Sequence, residues 1–371
     1  GHEHSIDYSG DRTEGLWEEA LTTRPEGRSP EFLRGEWEQV IQPNGITTES
    51  EYMRVSRVGR GTPLQRPARK EIWPVFEEYQ RLLDEHKLQE RAGALRDARL
   101  ILEEEGDILP YRSILVDEAQ DMGKQAFKLI RQMIPGGDQE NDIFIVGDAH
   151  QRIYDRQVVL SHCGINIVGR GRKLRINYRT TEENRTWAVG LLEGADYDDL
   201  DGGTDDQEVY KSLIKGREPT VQAFDTFQEE AQAIAQYLER LRQQESEELR
   251  NTCLIARTKP LLDNYRGVFR GAGLNTYVLP QSQPEDRSKP GIRLATMHRA
   301  KGLEFDRVVV AGVTKGKVPL RQALSEASDD PTRKQVLKRE RSLLYVSATR
   351  AKREVVVTCH DEPSRWLSSA R

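Results

Sequence analysis

The sequence predicts an α/β fold built on two parallel sheets, and three observations predict it. Short apolar runs end in acidic or polar residues, as in 113–121 (SILVDEAQD) and 143–151 (IFIVGDAHQ), which is how buried parallel strands deliver side chains to a site. Stretches with helical spacing separate runs of this kind, and strand, helix, strand alternation implies sheets covered on both faces. At 371 residues the chain is also longer than one ordinary domain, so two such sheets fit, divided near residue 175.

In chain order, the first seventy or so residues are rich in Glu, Arg, Gly and Pro, with amphipathic pieces at 31–41 (EFLRGEWEQVI) and 71–83 (EIWPVFEEYQRLL) that read as short helices. Trp37, Trp73, Phe76 and Tyr79 are expected to pack between them, not to stack on bases. Arg54, Arg57, Arg60, Arg66 and Arg69 make a basic run beside Gly59 and Gly61; phosphate contact and a solvated charged face both explain it. Residues 123–134 have helical spacing between the two acidic-ended strands. After 173–179 (KLRINYR), strands are expected at 220–224, 252–256, 275–279, 292–296, 307–311 and 354–358, with helices at 226–243, 259–271 and 332–349. The Asp-rich stretch 194–207 does not match the spacing of an EF-hand calcium loop and reads as a solvated loop. Segment 280–291 (PQSQPEDRSKPG) reads as a turn-rich connector.

Composition sets limits. Charged residues are 32% and hydrophobic residues 36% of the chain, and no apolar run approaches the roughly 18 residues that span a bilayer, so no membrane partner is expected. A net charge of −5 argues against an overall basic nucleic-acid binder while leaving room for a local basic groove. Cys163, Cys253 and Cys359 lack the paired spacing of a zinc or redox site, which reads as a reducing, cytoplasmic setting. The start at Gly1-His2 in place of Met reads as a cut or processed chain, with the natural protein beginning earlier.

The chemistry gathers at strand ends. Asp117 and Glu118 follow Ile114–Val116, at the C-terminal end of a strand, where open α/β sheets bind ligands. One carboxylate there can hold Mg²⁺ while its neighbour accepts a proton from water attacking a phosphoryl group; acidic pairs are also common at helix starts. The second strand presents Gln151, a neutral donor and acceptor suited to a terminal phosphate or to a water. Tyr178-Arg179 places a ring beside a permanent cation, and Arg350 adds a second guanidinium. Guanidinium groups stabilise charge on a transferred phosphoryl group, although either one also fits a surface ion pair.

Five strings make the reading specific. ILVDEAQD (114–121), FIVGDAHQRIYDR (144–156), INYRTT (176–181), IRLATMHRAKGLEFDRVVV (292–310) and LLYVSATRAKREVVV (343–357) stand in this order. They resemble helicase motifs two to six of the UvrD/Rep-like superfamily 1 DNA helicases. The resemblance implies two RecA-like parallel-sheet domains of the P-loop NTPase helicase fold. Residues 1–95 would be a helical insertion of the first, 96–174 the remainder of that incomplete domain, and 175–371 the second. About 110 residues separate Arg179 from Thr296, room for little beyond the second RecA-like fold itself, so the large subdomain that many relatives insert there would be reduced or absent.

The cofactors implied are ATP and Mg²⁺. By resemblance, Asp117 is the Mg²⁺-associated carboxylate, and Glu118 the base that activates water beside the metal. Gln151 reads the γ-phosphate, Arg179 and Arg350 are arginine fingers, and Tyr178 stacks on adenine. Gly302 and Glu304 lie along ribose and phosphate. Thr296, His298 and Tyr154 touch single-stranded DNA. The implied activity is ATP-dependent movement on single-stranded DNA or at a junction with duplex, 3′ to 5′, by a monomer, with the family's association with DNA repair.

The sequence departs from the family pattern. No GxxxxGK[ST] string occurs, and Gly316-Lys317 is followed by Val318. That loop supplies the backbone N–H groups and Lys that cradle phosphates, so these residues alone are expected to be inactive, with the loop coming from an N-terminal segment or a partner protein. The adenine-contacting glutamine motif is missing too. The aromatic expected shortly after Tyr154 is replaced by Asp155-Arg156-Gln157, where Arg156 would stack on a base or meet a phosphate. The rival reading is a non-catalytic scaffold for DNA or a protein, against which intact Glu118, Gln151, Arg179 and Arg350 argue.

Overall fold

The computed structural model describes residues 4–25, 27–57, 60–106, 109–134, 141–154, 158–195, 197, 210–244, 249–281, 283–327 and 329–367. These fall into two compact units, one drawn mainly from Gly1–Gly171 and one mainly from the residues beyond.

The first unit opens with helices Asp11–Ala20, Pro30–Glu36, Glu49–Arg54, Arg66–Glu85 and Arg91–Glu105. Their starts are written locally. The Ser29 hydroxyl caps Phe32 N–H ahead of Pro30, and Thr48 with Glu51 forms a reciprocal capping box. Apolar residues recur along Arg66–Glu85 so that Ile72, Trp73, Phe76, Tyr79 and Leu83 all turn inward. Trp37, Trp73, Phe76 and Tyr79 are buried in one cluster with Trp17 and Tyr52. Tyr79 meets Trp17 and Trp37 edge-on at 5.0 and 4.9 Å between ring centroids.

Three arginines of the basic run belong to this core. Arg57 donates through Nε and Nη2 to the two oxygens of buried Glu36 at 2.6 and 2.7 Å, Arg60 lies 3.3 Å from the same carboxylate, and the Tyr52 hydroxyl donates to it at 2.8 Å. Arg69 donates to the carbonyls of Tyr52 and Val55. A buried carboxylate needs such partners, and a charge count along the chain does not reveal one 21 residues away from its arginine. Arg54 and Arg66 are the exposed members of the run, and Gly59 lies outside the described residues.

Strands Ile114–Val116 and Ile143–Ile145 pair in parallel. Their inward residues pack with Phe127 of helix Lys124–Gln132 and with Leu160, Cys163 and Ile165. Among the described residues the opposite face is bare: Leu115 and Phe144, partners in register, are 76% and 64% exposed. Parallel sheets are ordinarily covered on both faces.

The second unit holds a six-stranded sheet in the order Thr220–Phe224, Ala351–His360, Phe305–Val310, Thr252–Ala256, Ile292–Thr296, Thr276–Val278. Every pairing in it is parallel. Its central strands are continuous apolar runs buried on both faces, as at Cys253–Ala256 and Val308–Val310. Helices Phe227–Gln244 and Lys259–Gly271 pack their apolar stripes on it. The last strand reaches back to Ala351, earlier than the apolar run at 354–358, because Lys352 and Arg353 extend past the covered part of the sheet.

Between strands Thr276–Val278 and Ile292–Thr296, residues 279–281 and 283–291 form a folded loop. Buried Arg293 donates to Glu285 at 2.7 Å and to the carbonyls of Lys289 and Gly291, and Arg299 donates to the carbonyl of Pro280. Gly291 is required, since a Cβ there would lie 2.2 Å from the Asn275 carbonyl oxygen at a φ of +95°.

A separate parallel pair, Ile176–Thr181 with Lys211–Ile214, leaves Ile176, Tyr178 and Leu213 exposed. Cys163, Cys253 and Cys359 are free and buried. Among the described residues no helix is long and apolar enough to cross a membrane. The acidic stretch 194–207 lies almost wholly outside the described residues.

Candidate functional site

In the first unit the chain leaves strand Ile114–Val116 through Asp117 and Glu118, both exposed. Glu118 adopts the left-handed region at φ 52°, ψ 39°, uncommon for a residue with a Cβ and concentrated at functional sites. The turn is held by its own side chains. Asp117 Oδ1 accepts the Glu118 N–H at 2.7 Å, and Glu118 Oε2 accepts from Gln120 Nε2 at 2.5 Å. Buried Gln120 then accepts the Asp148 N–H at 2.9 Å, which fastens the end of one strand to the end of the next.

Asp148 continues the chain of contacts, its carboxylate accepting from His150 N–H at 3.0 Å and from Gln151 Nε2 at 2.9 Å. Burial pushes this carboxyl up, but the hydrogen bonds and charge of His150, with the Gln151 amide, outweigh it and hold it below the usual carboxylate range. Asp117, Glu118 and Gln151 are therefore brought to one place by Gln120 and Asp148, which sequence reasoning did not single out. The available signal was polarity inside an otherwise apolar motif: Gln120 stands two residues after Glu118 and is buried. Tyr154 follows, half exposed, while Arg156 lies outside the described residues.

In the second unit a separate group gathers at the N-terminal ends of strands Phe305–Val310 and Ala351–His360. Arg179 forms an ion pair with Glu304, whose other oxygen takes Lys352 Nζ at 2.9 Å. The Lys352 contact chiefly, with Arg179 adding to it against some burial, holds the Glu304 carboxyl below its ordinary range. Arg350 is buried, its Nε donating to the Val346 carbonyl at 3.0 Å and Nη1 to that of Leu303 at 3.5 Å. The Arg350 carbonyl accepts the Phe305 N–H at 3.0 Å. Gly302 makes the turn into this strand at φ +76°. Arg179, Gly302, Glu304 and Arg350 thus share one region, with Tyr178 beside Arg179 and 70% exposed. Lys352 was not foreseen, although it stands two residues after Arg350.

Thr296 and His298 lie at the opposite edge of this sheet. Strand Ile292–Thr296 ends level with Ala256 of its neighbour, and the Met297 N–H bonds the Ala256 carbonyl at 3.0 Å. Thr296 Oγ1 accepts the Arg299 N–H at 3.3 Å. The half-buried His298 imidazole is pushed down to about 4 by burial first and then by the Arg257 cation, with Glu340 opposing and Arg339 assisting. Its folded value lies below its unfolded one, so between roughly pH 6.5 and 4 the unfolded chain holds the extra proton. Stability from this group is therefore complete at neutral pH and is lost as pH falls through that window.

Two protein-family descriptions match the chain: the UvrD/REP helicase N-terminal domain over residues 35–157 and the UvrD-like helicase C-terminal domain over residues 271–362. The chain belongs to the UvrD/Rep-like helicases. Similar proteins include the ATP-dependent DNA helicase PcrA of Bacillus subtilis, 38% identical over 80 residues, which is 22% of this chain and 10% of that protein. DNA helicase II of Escherichia coli is 36% identical over 73 residues, 20% of this chain and 9% of that protein. The chain thus aligns with only about a tenth of the length of these relatives. The parallel six-stranded sheet of this helicase chain is the RecA-like fold expected from its motifs.

The residues present fit Mg²⁺ bound with a nucleotide, and not a free-standing ion. Asp117 offers an exposed carboxylate with one oxygen engaged by Glu118 N–H, and among the described residues no group of three or more His, Cys, Asp or Glu side chains converges. Mg²⁺ is characteristically held by one or two carboxylates plus water and substrate phosphates. For ATP, the strand-end groups fit a terminal phosphate and its water, while the backbone cradle of a GxxxxGK[ST] loop is not among these residues.

Proposed function

We propose that this chain is part of an ATP-driven motor that moves 3′ to 5′ along single-stranded DNA and separates strands at a junction with duplex. The observation that carries the reading is the Gln120 bridge, which holds Asp117, Glu118 and Gln151 together at two adjacent strand ends. Glu118 accepts the proton of the attacking water, Gln151 senses the terminal phosphate through its amide, and Asp117 would hold Mg²⁺, which would supply neutralisation of phosphate charge. Arg179 and Arg350 stabilise charge in the transition state, Tyr178 stacks on the base, and Gly302 with Glu304 borders the sugar. Arg179 does so by exchanging Glu304 for phosphate oxygens, and Arg350 by giving up main-chain carbonyls. The neutral His298 imidazole meets bases and sugars, not phosphates, alongside Thr296, Tyr154 and Arg156.

The helical part, 1–95, serves as the insertion of the first motor domain, 96–174 as its remainder and 175–371 as the second. The phosphate-binding loop comes from a segment outside these residues or from a partner protein, and the bare face of Leu115 and Phe144 supports this, being ready for a further covering element. The motor works as a monomer in the cytoplasm, in keeping with three free, buried cysteines. The alternative is a scaffold that binds DNA without hydrolysis, against which intact Glu118, Gln151, Arg179 and Arg350 argue. Both are tested by mixing the 371 residues with ATP and a dT oligonucleotide. The expected result is salt-sensitive oligonucleotide binding with phosphate release at background. DNA-stimulated release by these residues alone would refute the need for a separate loop, and failure to bind the oligonucleotide would refute the DNA reading.

A further inference from the structure

Glu340 is fully buried and its carboxylate is fully used. It accepts from Arg257 Nε at 2.9 Å and Nη2 at 2.5 Å, a bidentate fork, and its Oε2 also accepts the Leu320 N–H at 2.9 Å. Burying such a pair is costly, and apolar residues of similar volume are often as stable or more so, so stability alone does not account for it. Its place does. Arg257 is the first residue after strand Thr252–Ala256, and the turn carrying His298 leaves the adjacent strand at the same level, tied to it by the Met297 N–H on the Ala256 carbonyl. Glu340 reaches this edge from helix Asp330–Ala348, and through Leu320 it also fixes the segment that follows strand Phe305–Val310.

We infer that Glu340, acting through Arg257, positions the Thr296–His298 turn for single-stranded DNA. Neither residue touches the DNA: the Arg257 guanidinium is buried and committed to Glu340. Their action is to hold a cation against the imidazole side of the turn and to fix three chain segments at one sheet edge, so that His298 meets the strand in one orientation. The direction in which burial and Arg257 push the His298 imidazole agrees with this placement. The inference rests on the proposed contact of His298 with DNA.

A double-mutant cycle on dT-oligonucleotide affinity, read by fluorescence anisotropy with the 371-residue chain, separates the two ideas. His298→Ala is expected to weaken binding roughly tenfold, and Glu340→Gln to weaken it by a similar factor. The double variant is expected to lose about tenfold also, since a positioning residue has nothing left to position. Losses that multiply to about a hundredfold, or a Glu340→Gln chain that binds as well as wild type, would overturn the inference while leaving the DNA reading intact. A wild-type chain that does not bind the oligonucleotide would overturn both. Thermal unfolding checks each variant, and where Glu340→Gln does not fold, Arg257→Lys, which keeps the charge and loses the fork, replaces it in the same cycle with the same two outcomes.

Discussion

Glu118→Gln, placed in a polypeptide that joins these residues to a phosphate-binding loop, is expected to lower DNA-stimulated ATP turnover by about 10³-fold, the range of a lost general base. Nucleotide affinity should stay near wild type. Glutamine has nearly the shape of glutamate, and its carbonyl oxygen still accepts the Gln120 amide hydrogen that Glu118 accepts now. The bridge to Asp148 is left in place, so only the capacity to take a proton from water disappears. Steady-state phosphate release and equilibrium binding of a non-hydrolysable analogue separate the two effects. Turnover within about threefold of wild type would make Glu118 a turn residue and not a base.

Glu230→Ala should cost about 3–5 kcal/mol, since several buried donors lose their acceptor at about 1–3 kcal/mol each. Glu230 is fully buried beneath the six-stranded sheet, and its two oxygens take the Tyr265 hydroxyl at 2.7 Å, the Gly312 N–H at 2.9 Å, the Thr358 hydroxyl at 2.5 Å and the His360 ring. Alanine strands these groups out of reach of water. Burial is the first cause that pushes the Tyr265 hydroxyl well above its usual range, ahead of the Glu230 carboxylate, and burial persists in the variant, so the hydroxyl stays protonated and without its acceptor. Urea unfolding followed by the fluorescence of the second unit reads the loss. A cost below about 1 kcal/mol would mean that water enters and replaces the carboxylate.

The parallel sheet of the second unit was legible because buried parallel strands are written as continuous apolar runs: 220–224, 252–256 and 292–296 coincide with the observed strands. The aromatic core between the first helices was legible for the same reason, from helical periodicity at Trp73, Phe76 and Tyr79. Strands Ser5–Asp7 and Leu88–Glu90 were not, since three-residue strands paired across eighty residues carry no periodic signal. Buried polar contacts were equally hidden. Arg57 and Arg60 read as charges along a chain and become partners of Glu36 only when helices fold together. The candidate site shows the same division: motifs pointed to Asp117, Glu118, Gln151 and Arg179, whereas Gln120, Asp148, Lys352 and the Arg257–Glu340 pair, which hold or answer them, emerge only in three dimensions.

The motor reading stands on Arg179 stabilising the charge of a transferred phosphoryl group, and Arg179→Ala tests it most directly. The side chain is partly exposed and tied to Glu304 by an ion pair, so its loss should leave the fold and oligonucleotide binding intact. In the loop-bearing polypeptide, phosphate release stimulated by single-stranded DNA is expected to fall by about 10³-fold, as for a lost arginine finger. Release that continues at the wild-type rate in the folded, DNA-binding variant would contradict the role of Arg179 and with it the motor.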